Sequence, residues 1–182
     1  IFGDSSRANR YRKAAQEIKS ATEDHLYDKE QGRFLRSLYY RNRAWEKDYT
    51  LDSSQCGLFM FGMYPADDPR VVRTMEAIQE KLRCQTDIGG IARYENDPYY
   101  QIAQDTSRVP GNPWFLSTMW VAQWQIAIAQ KADDLRAPME TLRWVADHAS
   151  PSGVLAEQLN PYSGAPLSVS PLTWSHATFV TT

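Results

Sequence analysis

The sequence predicts an all-α fold, a partial toroid built of helical hairpins with inner helices around a funnel. Apolar residues recur at intervals of three and four along most of the 182 residues, and strand-like alternation is minimal. Long irregular segments also follow the helical hairpins, and the order of the elements places these segments at the same end of the fold. Such an arrangement fits a toroid better than an up-and-down bundle, because its concave end would collect the loops.

The first half of the chain is expected to hold three helices and one extended excursion. Apolar spacing from Tyr11 to Leu26 predicts an amphipathic helix of roughly 20 residues that starts near Ser6. Segment 32–47 is aromatic and basic without a helical period, which favours a hairpin. Residues 58–63 are apolar on every side and predict a buried helix. Asp68-Pro69 then signals the start of the next helix.

The second half alternates long loops with helices. Residues 84–111 form a polar stretch longer than ordinary loops. Asn112-Pro113 predicts the start of an interior helix, since the residues after it are apolar over most of the circumference. An amphipathic helix is expected over 135–149, a second irregular segment over 152–170, and a last helix over 171–182.

Composition and charge exclude several classes of function. The chain has 20 Lys and Arg against 22 Asp and Glu, a net charge of −2, which argues against a nucleic-acid partner. No apolar stretch approaches the roughly 18 residues that cross a bilayer, and the start Ile1–Asp4 lacks signal-peptide features. Cys56 and Cys84 give neither a disulfide framework nor metal-ligand spacing. We therefore expect no membrane, metal or cofactor, and a cytoplasmic location is favoured over secretion.

The first long segment holds polar groups that suit a sugar. Residues 93–100 place a guanidinium, carboxylates and phenols close together. Arg93 can hydrogen-bond vicinal hydroxyls, and Asp97 can accept hydrogen bonds from them. The alternative is a solvated loop with local ion pairs.

The second long segment and the helix starts add three candidates. Glu157 is a single carboxylate between apolar residues, a pattern that is more often structural than catalytic. Trp114 and Trp174 each fall in the first turn of a helix after one of the long segments. Such positions suit either core packing or the rim of a pyranose-stacking site.

Four sequence blocks resemble glycoside hydrolase family 15, the glucoamylase, glucodextranase and trehalase group. They occur in the family's order over about residues 50–182, and the last is the most distinctive. The blocks are LDSSQCGLFMFGMYPADDPRVVRTMEAI, GGIARYENDPYY, GNPWFLSTMW and GVLAEQLNPYSGAPLSVSPLTWSHATFV.

The resemblance implies an (α/α)6 barrel and inverting hydrolysis of an α-glucosidic bond at the non-reducing end of an α-linked glucose oligo- or polysaccharide, or of trehalose. By motif alignment Glu157 corresponds to the general base. Five residues correspond to the site for the terminal glucose: Arg93, Tyr94, Asp97, Trp114 and Trp174.

The sequence also departs from the family pattern. An inverting enzyme needs a general acid opposite the base, roughly 6.5–9.5 Å away, and no segment matching the family's acid precedes Glu157. We therefore expect residues 1–182 to be a single region, the C-terminal part of the catalytic domain, and inactive alone. Its outer helix flanks are expected to pair with an upstream half or with a second copy of the chain.

Two other functions stay open. The first is a catalytically inactive α/α module with a carbohydrate-binding or regulatory role. The second is a scaffold of helical repeats, which would show a repeat period of about 34–45 residues that is not found.

Overall fold

The computed structural model describes residues 3–182, and backbone contacts divide the chain into two compact units, Ile1–Tyr49 and Thr50–Thr182. Ile1 and Phe2, the first two residues of the start that lacks signal-peptide features, lie outside the described residues. The assignment of 1–182 to one catalytic domain stays a prediction. Within residues 3–182, no helix is both long enough and apolar enough to cross a membrane.

The first unit begins with a long helix. Helix α1, Ser5–Ala21, starts after Asp4, whose side chain accepts a hydrogen bond from the backbone N–H of Arg7. A π-helical turn, Thr22–Leu26, continues it. The predicted helix is therefore confirmed. No residue of α1 is buried, however, and its apolar face is open, with Tyr11 and Ile18 60% and 58% exposed.

Two antiparallel hairpins complete this unit. Strand β1, Tyr27–Asp28, pairs with β2, Arg33–Phe34, and β3, Ser37–Arg41, pairs with β4, Ala44–Asp48. The second pair confirms the predicted hairpin. Asp28 is buried and accepts a hydrogen bond from Nζ of Lys47 at 2.9 Å, which fastens β1 to β4.

The second unit contains five α-helices and two 3₁₀ turns. The helices are α2 Gly57–Met60, α3 Pro69–Lys81, α4 Phe115–Ile128, α5 Arg136–Asp147 and α6 Thr173–Thr181, and the turns are Ser53–Cys56 and Ala132–Leu135. Helix α4 contacts α3, α5, α6 and both turns. Its residues Phe115–Ala122 and Trp124 are buried, which confirms the predicted interior helix.

Helix α3 forms as the sequence predicts. Asp68 accepts a hydrogen bond from the backbone N–H of Arg70, and Pro69 occupies the first turn. The spaced apolar residues Val71, Met75 and Ile78 are all buried. Local capping and an apolar stripe suffice to specify this helix.

Two expectations from the sequence are wrong in detail. The apolar segment 58–63 is not a buried helix, because α2 ends at Met60 and Phe61 is 87% exposed. The adjacent Gly62 adopts φ +72°, a left-handed conformation that ends helices. Asn112 does not cap α4, which begins at Phe115 after Trp114. By contrast, the amphipathic helix expected over 135–149 forms as α5, in which Pro138 and Val145 are buried.

A small antiparallel sheet joins the two long loops. Its strands have two residues each, in the order β5 Ile91–Ala92, β6 Pro113–Trp114, β7 Gln158–Leu159 and β8 Pro166–Leu167. Ile91 faces Trp114, Trp114 faces Gln158, and Gln158 faces Leu167. The predicted loops are therefore held edge to edge rather than projecting independently.

Candidate active site

The four-stranded sheet gathers the predicted site residues from both loops. Arg93 directly follows β5, Trp114 lies in β6, and Glu157 directly precedes β7. Ser168 directly follows β8, on the strand that pairs with β7. The antiparallel register thus brings residues far apart in sequence to one place.

Arg93 and Asp97 form a bidentate ion pair. Nε and Nη2 of Arg93 donate to Oδ2 and Oδ1 of Asp97 at 2.9 and 2.8 Å. Asp97 is 1% exposed, and its Oδ1 also accepts from the backbone N–H of Tyr99. Burial acts to lower the pKa of Arg93, but the hydrogen bond and charge of Asp97 outweigh it and raise that pKa. Arg93 therefore stays cationic, and Asp97 holds Arg93 while offering almost no surface to a ligand.

Three aromatic rings surround the Arg93 guanidinium. Its central carbon lies 4.7 Å from the ring centroid of Trp114, 4.8 Å from that of Tyr94 and 5.2 Å from that of Tyr99. These are cation–π distances, so the rings restrict the orientation of the guanidinium. About a third of the Arg93 side chain remains exposed, which leaves part of it accessible to a ligand.

Glu157 is half-buried and is held by a hydroxyl relay. Oγ of Ser168 donates a hydrogen bond to Oε2 of Glu157. The hydroxyl oxygens of Ser168 and Tyr99 lie 3.2 Å apart. Because Ser168 has one proton and directs it at the carboxylate, the Tyr99 hydroxyl donates to Ser168. The carboxylate of the second loop is therefore connected to the aromatic residues of the first.

The backbone on both sides of Glu157 is also fixed. The N–H of Glu157 donates to the carbonyl of Val169 at 2.8 Å. The carbonyl of Ala156 accepts from Oγ of Ser175 on α6, and the N–H of Leu155 donates to Nε2 of His176. This anchoring holds Glu157 in place, because its own N–H is bonded to the segment that follows β8 and the two residues before it are bonded to α6.

The two predicted tryptophans have different environments. Trp114 is 5% exposed, and its Nε1 has no hydrogen-bond partner among residues 3–182. Trp174 is 57% exposed and packs edge to face on Trp120, with ring centroids 5.6 Å apart. It lines an apolar groove of about 460 Å³ together with Met60 and Phe61. Trp114 thus lies in the Arg93 cluster, while Trp174 offers an open indole face on α6.

Asn112 connects the two loops from inside the protein. Its Nδ2 donates to Oε1 of Gln158 at 2.8 Å and to the carbonyl of Tyr100 at 2.7 Å. Its Oδ1 accepts from the backbone N–H of Ile102 at 3.2 Å. The sequence suggested a helix cap at Asn112, because asparagine is common both as a helix cap and as a link between loops. Only the hydrogen-bond partners distinguish the two roles.

Ser168, Tyr99, Asn112 and Gln158 are the site residues that sequence reasoning missed. All four lie inside blocks that carry the family resemblance, which is the only signal that could have found them. Serine, tyrosine and amide side chains are common in loops, so their residue types alone do not mark a site.

The structure places the potential metal ligands and the two thiols in the part of the chain that it describes. His, Cys, Asp and Glu side chains of residues 3–182 form no group of three that could hold a metal ion. Cys56 and Cys84 are buried free thiols, and burial raises the pKa of each to about 12. Neither thiol is therefore a nucleophile near neutral pH.

Comparison with known proteins adds independent information. The model of glycosyl hydrolases family 15 matches residues 1–141 and 136–182. An uncharacterized glycosyl hydrolase of Methanocaldococcus jannaschii is 29% identical over 173 residues, 90% of this chain and 25% of that protein. An isomaltose glucohydrolase of Kribbella flavida is 30% identical over 131 residues, 66% of this chain and 30% of that protein. The chain thus spans between a quarter and a third of the length of these curated relatives.

A solved structure shows the fold. A bacterial glucoamylase complexed with acarbose matches with a TM-score of 0.76 and 22% sequence identity, covering 98% of this chain and 29% of that one. This likeness confirms the predicted fold class, an all-α chain that forms part of an (α/α)6 toroid of helical hairpins.

Proposed function

The chain belongs to glycosyl hydrolase family 15, and from this membership we propose that it is part of an exo-acting α-glucosidase with Glu157 as the general base. The proposed reaction is inverting hydrolysis of the glucosidic bond at the non-reducing end of an α-linked glucose oligo- or polysaccharide. The names of two relatives, an isomaltose glucohydrolase and a glucoamylase complexed with acarbose, support this substrate class. Trehalose is the competing substrate within the family resemblance.

The observation that carries the proposal is the environment of Glu157. Its Oε2 is bound by Ser168, and we assign Oε1 to the attacking water. A general base must lie within hydrogen-bond reach of the proton that it removes, and it must hold its orientation while the water attacks. The fixed backbone and the Ser168–Tyr99 relay supply that orientation.

The proposed glucose-binding group lies around Arg93. The exposed part of the guanidinium donates to vicinal sugar hydroxyls, while Asp97 acts as a positioning residue for Arg93. Trp114 and Tyr94 restrict the guanidinium and exclude water from one side of it. Trp174 is assigned to stacking against a pyranose ring, since its indole face is open.

The general acid is proposed to come from a segment outside these 182 residues, so that this chain alone is inactive. Exposed apolar side chains are consistent with a missing cover in both units. In the first unit these are Tyr11 and Ile18 on α1, and in the second they are Phe179 and Val180 on α6. We propose that an upstream half or a second copy covers them. An isolated chain that sediments as a monomer and binds no apolar dye would contradict this.

The test is a stereochemical assay on the intact enzyme. Maltose, isomaltose and trehalose are incubated separately, and the anomeric form of the released glucose is followed by NMR. The proposal expects β-glucose at early times from at least one α-glucoside. The reducing-end unit of maltose or isomaltose is itself released as an anomeric mixture, and inversion splits trehalose into one α- and one β-glucose. An early excess of α-glucose over these amounts would therefore contradict inversion, and hydrolysis of none of the three would contradict the enzyme assignment.

A second candidate function is sugar binding without catalysis. One observation favours it: the described residues contain the Arg93 cluster and Glu157 but no counterpart of the family's general acid. Calorimetry distinguishes a binding module from an enzyme, because a binding module binds glucose oligomers without hydrolysing them.

A further inference from the structure

Two consecutive residues of the second loop are linked to two consecutive residues of the first. Glu157 reaches the side chain of Tyr99 through Ser168. Gln158 reaches the backbone of Tyr100 through Asn112. The loops are therefore held by two parallel connections, one half-buried at the carboxylate and one inside the protein.

The inner connection is fully buried. Gln158 is 0% exposed and Asn112 is 1% exposed, and their amides meet at 2.8 Å. Hydrogen bonds shielded from water hold their geometry better than exposed ones, because water does not compete for either partner. This connection is therefore the more rigid of the two.

The inner connection also fixes an unusual loop conformation. Tyr100 adopts φ +56°, in the left-handed region that a bulky residue rarely occupies. Asn112 binds the carbonyl of Tyr100 and the N–H of Ile102, so it spans the residues around this conformation. Tyr99, just before it, donates its N–H to Asp97, the partner of Arg93. The position of Arg93 relative to Glu157 thus depends on this loop.

The buried amide of Gln158 lowers the stability of the core. Its Nε2 has no hydrogen-bond partner among residues 3–182, although the residue is completely buried. A buried donor without a partner is destabilising, and an apolar side chain of similar shape would avoid the penalty. The amide is therefore better explained by the position that it enforces than by stability.

We propose that Asn112 and Gln158 are a pair of positioning residues that set the placement of the base Glu157 relative to the Arg93 cluster. The inference rests on the proposed function. Neither residue touches the substrate, since both are buried, and both act through the loop and strand that they join. A displacement of about 1 Å between reacting groups can lower a rate by about 10²-fold, so small shifts here have large effects on turnover.

The test uses three variants of the intact enzyme, Gln158→Met, Asn112→Ala and the double variant. The expected result is a fall in kcat of about 10- to 100-fold in each single variant, with KM changed less than threefold. The double variant should lose no more than the worse single one, because both substitutions break the same connection.

Ser117→Ala is the matched control. Oγ of Ser53 donates to Oγ of Ser117 at 2.9 Å, and this pair is also buried and also joins distant segments of the second unit. Its loss should lower the thermal midpoint comparably while leaving kcat within about twofold. If Gln158→Met and Asn112→Ala lower kcat no more than Ser117→Ala does, the positioning role is overturned.

Failure of the proposed function gives a different result. If the wild-type enzyme binds glucose oligomers but hydrolyses none, catalysis is rejected, and the positioning of Arg93 is judged from affinity. Gln158→Met must then weaken calorimetric binding at least tenfold relative to Ser117→Ala, or the inference also fails. A wild-type protein that neither binds nor hydrolyses them overturns both.

Discussion

Ser168 binds Glu157 from a backbone conformation that serine seldom adopts. The two residues flank paired strands, Glu157 before β7 and Ser168 after β8, and the Ser168 hydroxyl donates to the Glu157 carboxylate. Ser168 has φ +61°, in the region where a Cβ is disfavoured. Strain of this kind persists where the surrounding structure overdetermines it, often at functional sites.

The strain at Ser168 allows its effects on stability and on activity to be measured separately. Both Ser168→Ala and Ser168→Gly lose the hydrogen bond to Glu157, but only glycine relieves the positive φ. We expect the glycine variant to be more stable than the alanine variant by about 1 kcal/mol. Both should lose roughly tenfold in kcat. Thermal denaturation and initial rates check this, and an alanine variant as stable as the glycine one would remove the strain argument.

Replacing the proposed base should abolish turnover without abolishing binding. Glu157→Gln keeps the shape of the side chain but cannot accept a proton, so kcat of the intact enzyme should fall by about 10²- to 10⁴-fold. Calorimetry should find glucose binding nearly unchanged. Glu140→Gln, at an exposed position of α5, is the control and should retain full activity. Substantial residual kcat in Glu157→Gln would reject the assignment.

Removing Asp97 should destabilise the site more than an ordinary surface change. Asp97→Ala leaves the partly buried Arg93 without its bidentate partner. The expected loss in free energy of unfolding is about 2 kcal/mol, below the roughly 3–5 kcal/mol of fully buried pairs because part of Arg93 is exposed to water. Glucose affinity should fall as well. Denaturant unfolding measures the first effect, and a loss below about 0.5 kcal/mol would show that the pair is not structural.

The Asp28–Lys47 pair predicts the pH range in which the first unit is stable. The hydrogen bond from Lys47 lowers the pKa of Asp28, so this stabilisation is present above the ordinary Asp value and is lost as pH falls through the lowered one. The hydrogen bond to Asp28 raises the pKa of Lys47, so its contribution is lost only as pH rises through that raised value.

NMR of the Trp45 indole can follow this titration. Trp45 lies in β4 and packs on Tyr40, with ring centroids 5.2 Å apart, so it reports on the hairpin locally. The signal should change at both ends of the pH range and stay constant between about pH 5 and 9. Lys47→Met should remove the alkaline change and move the acidic one to higher pH. An unaltered titration in that variant would exclude the ion pair as the cause.

The sequence by itself determined several of the helices and the identity of the main candidates. Helix α3 follows from Asp68, Pro69 and a stripe of spaced apolar residues, because capping and periodicity are local properties. The interior character of α4 follows from its apolar circumference. Arg93 and Glu157 were identified through motifs that stay recognisable when the contacts are unknown.

Only the tertiary structure decided how these residues meet. Strands of two residues have no periodicity to detect, so the sequence could not predict the sheet that joins Trp114 to Gln158. Asn112, predicted as a helix cap, instead binds Gln158, 46 positions away. Tyr99 lies next to Ser168, 69 positions away. Such contacts depend on loop closure between distant segments and on which polar group finds a partner after burial, and neither is encoded in local sequence.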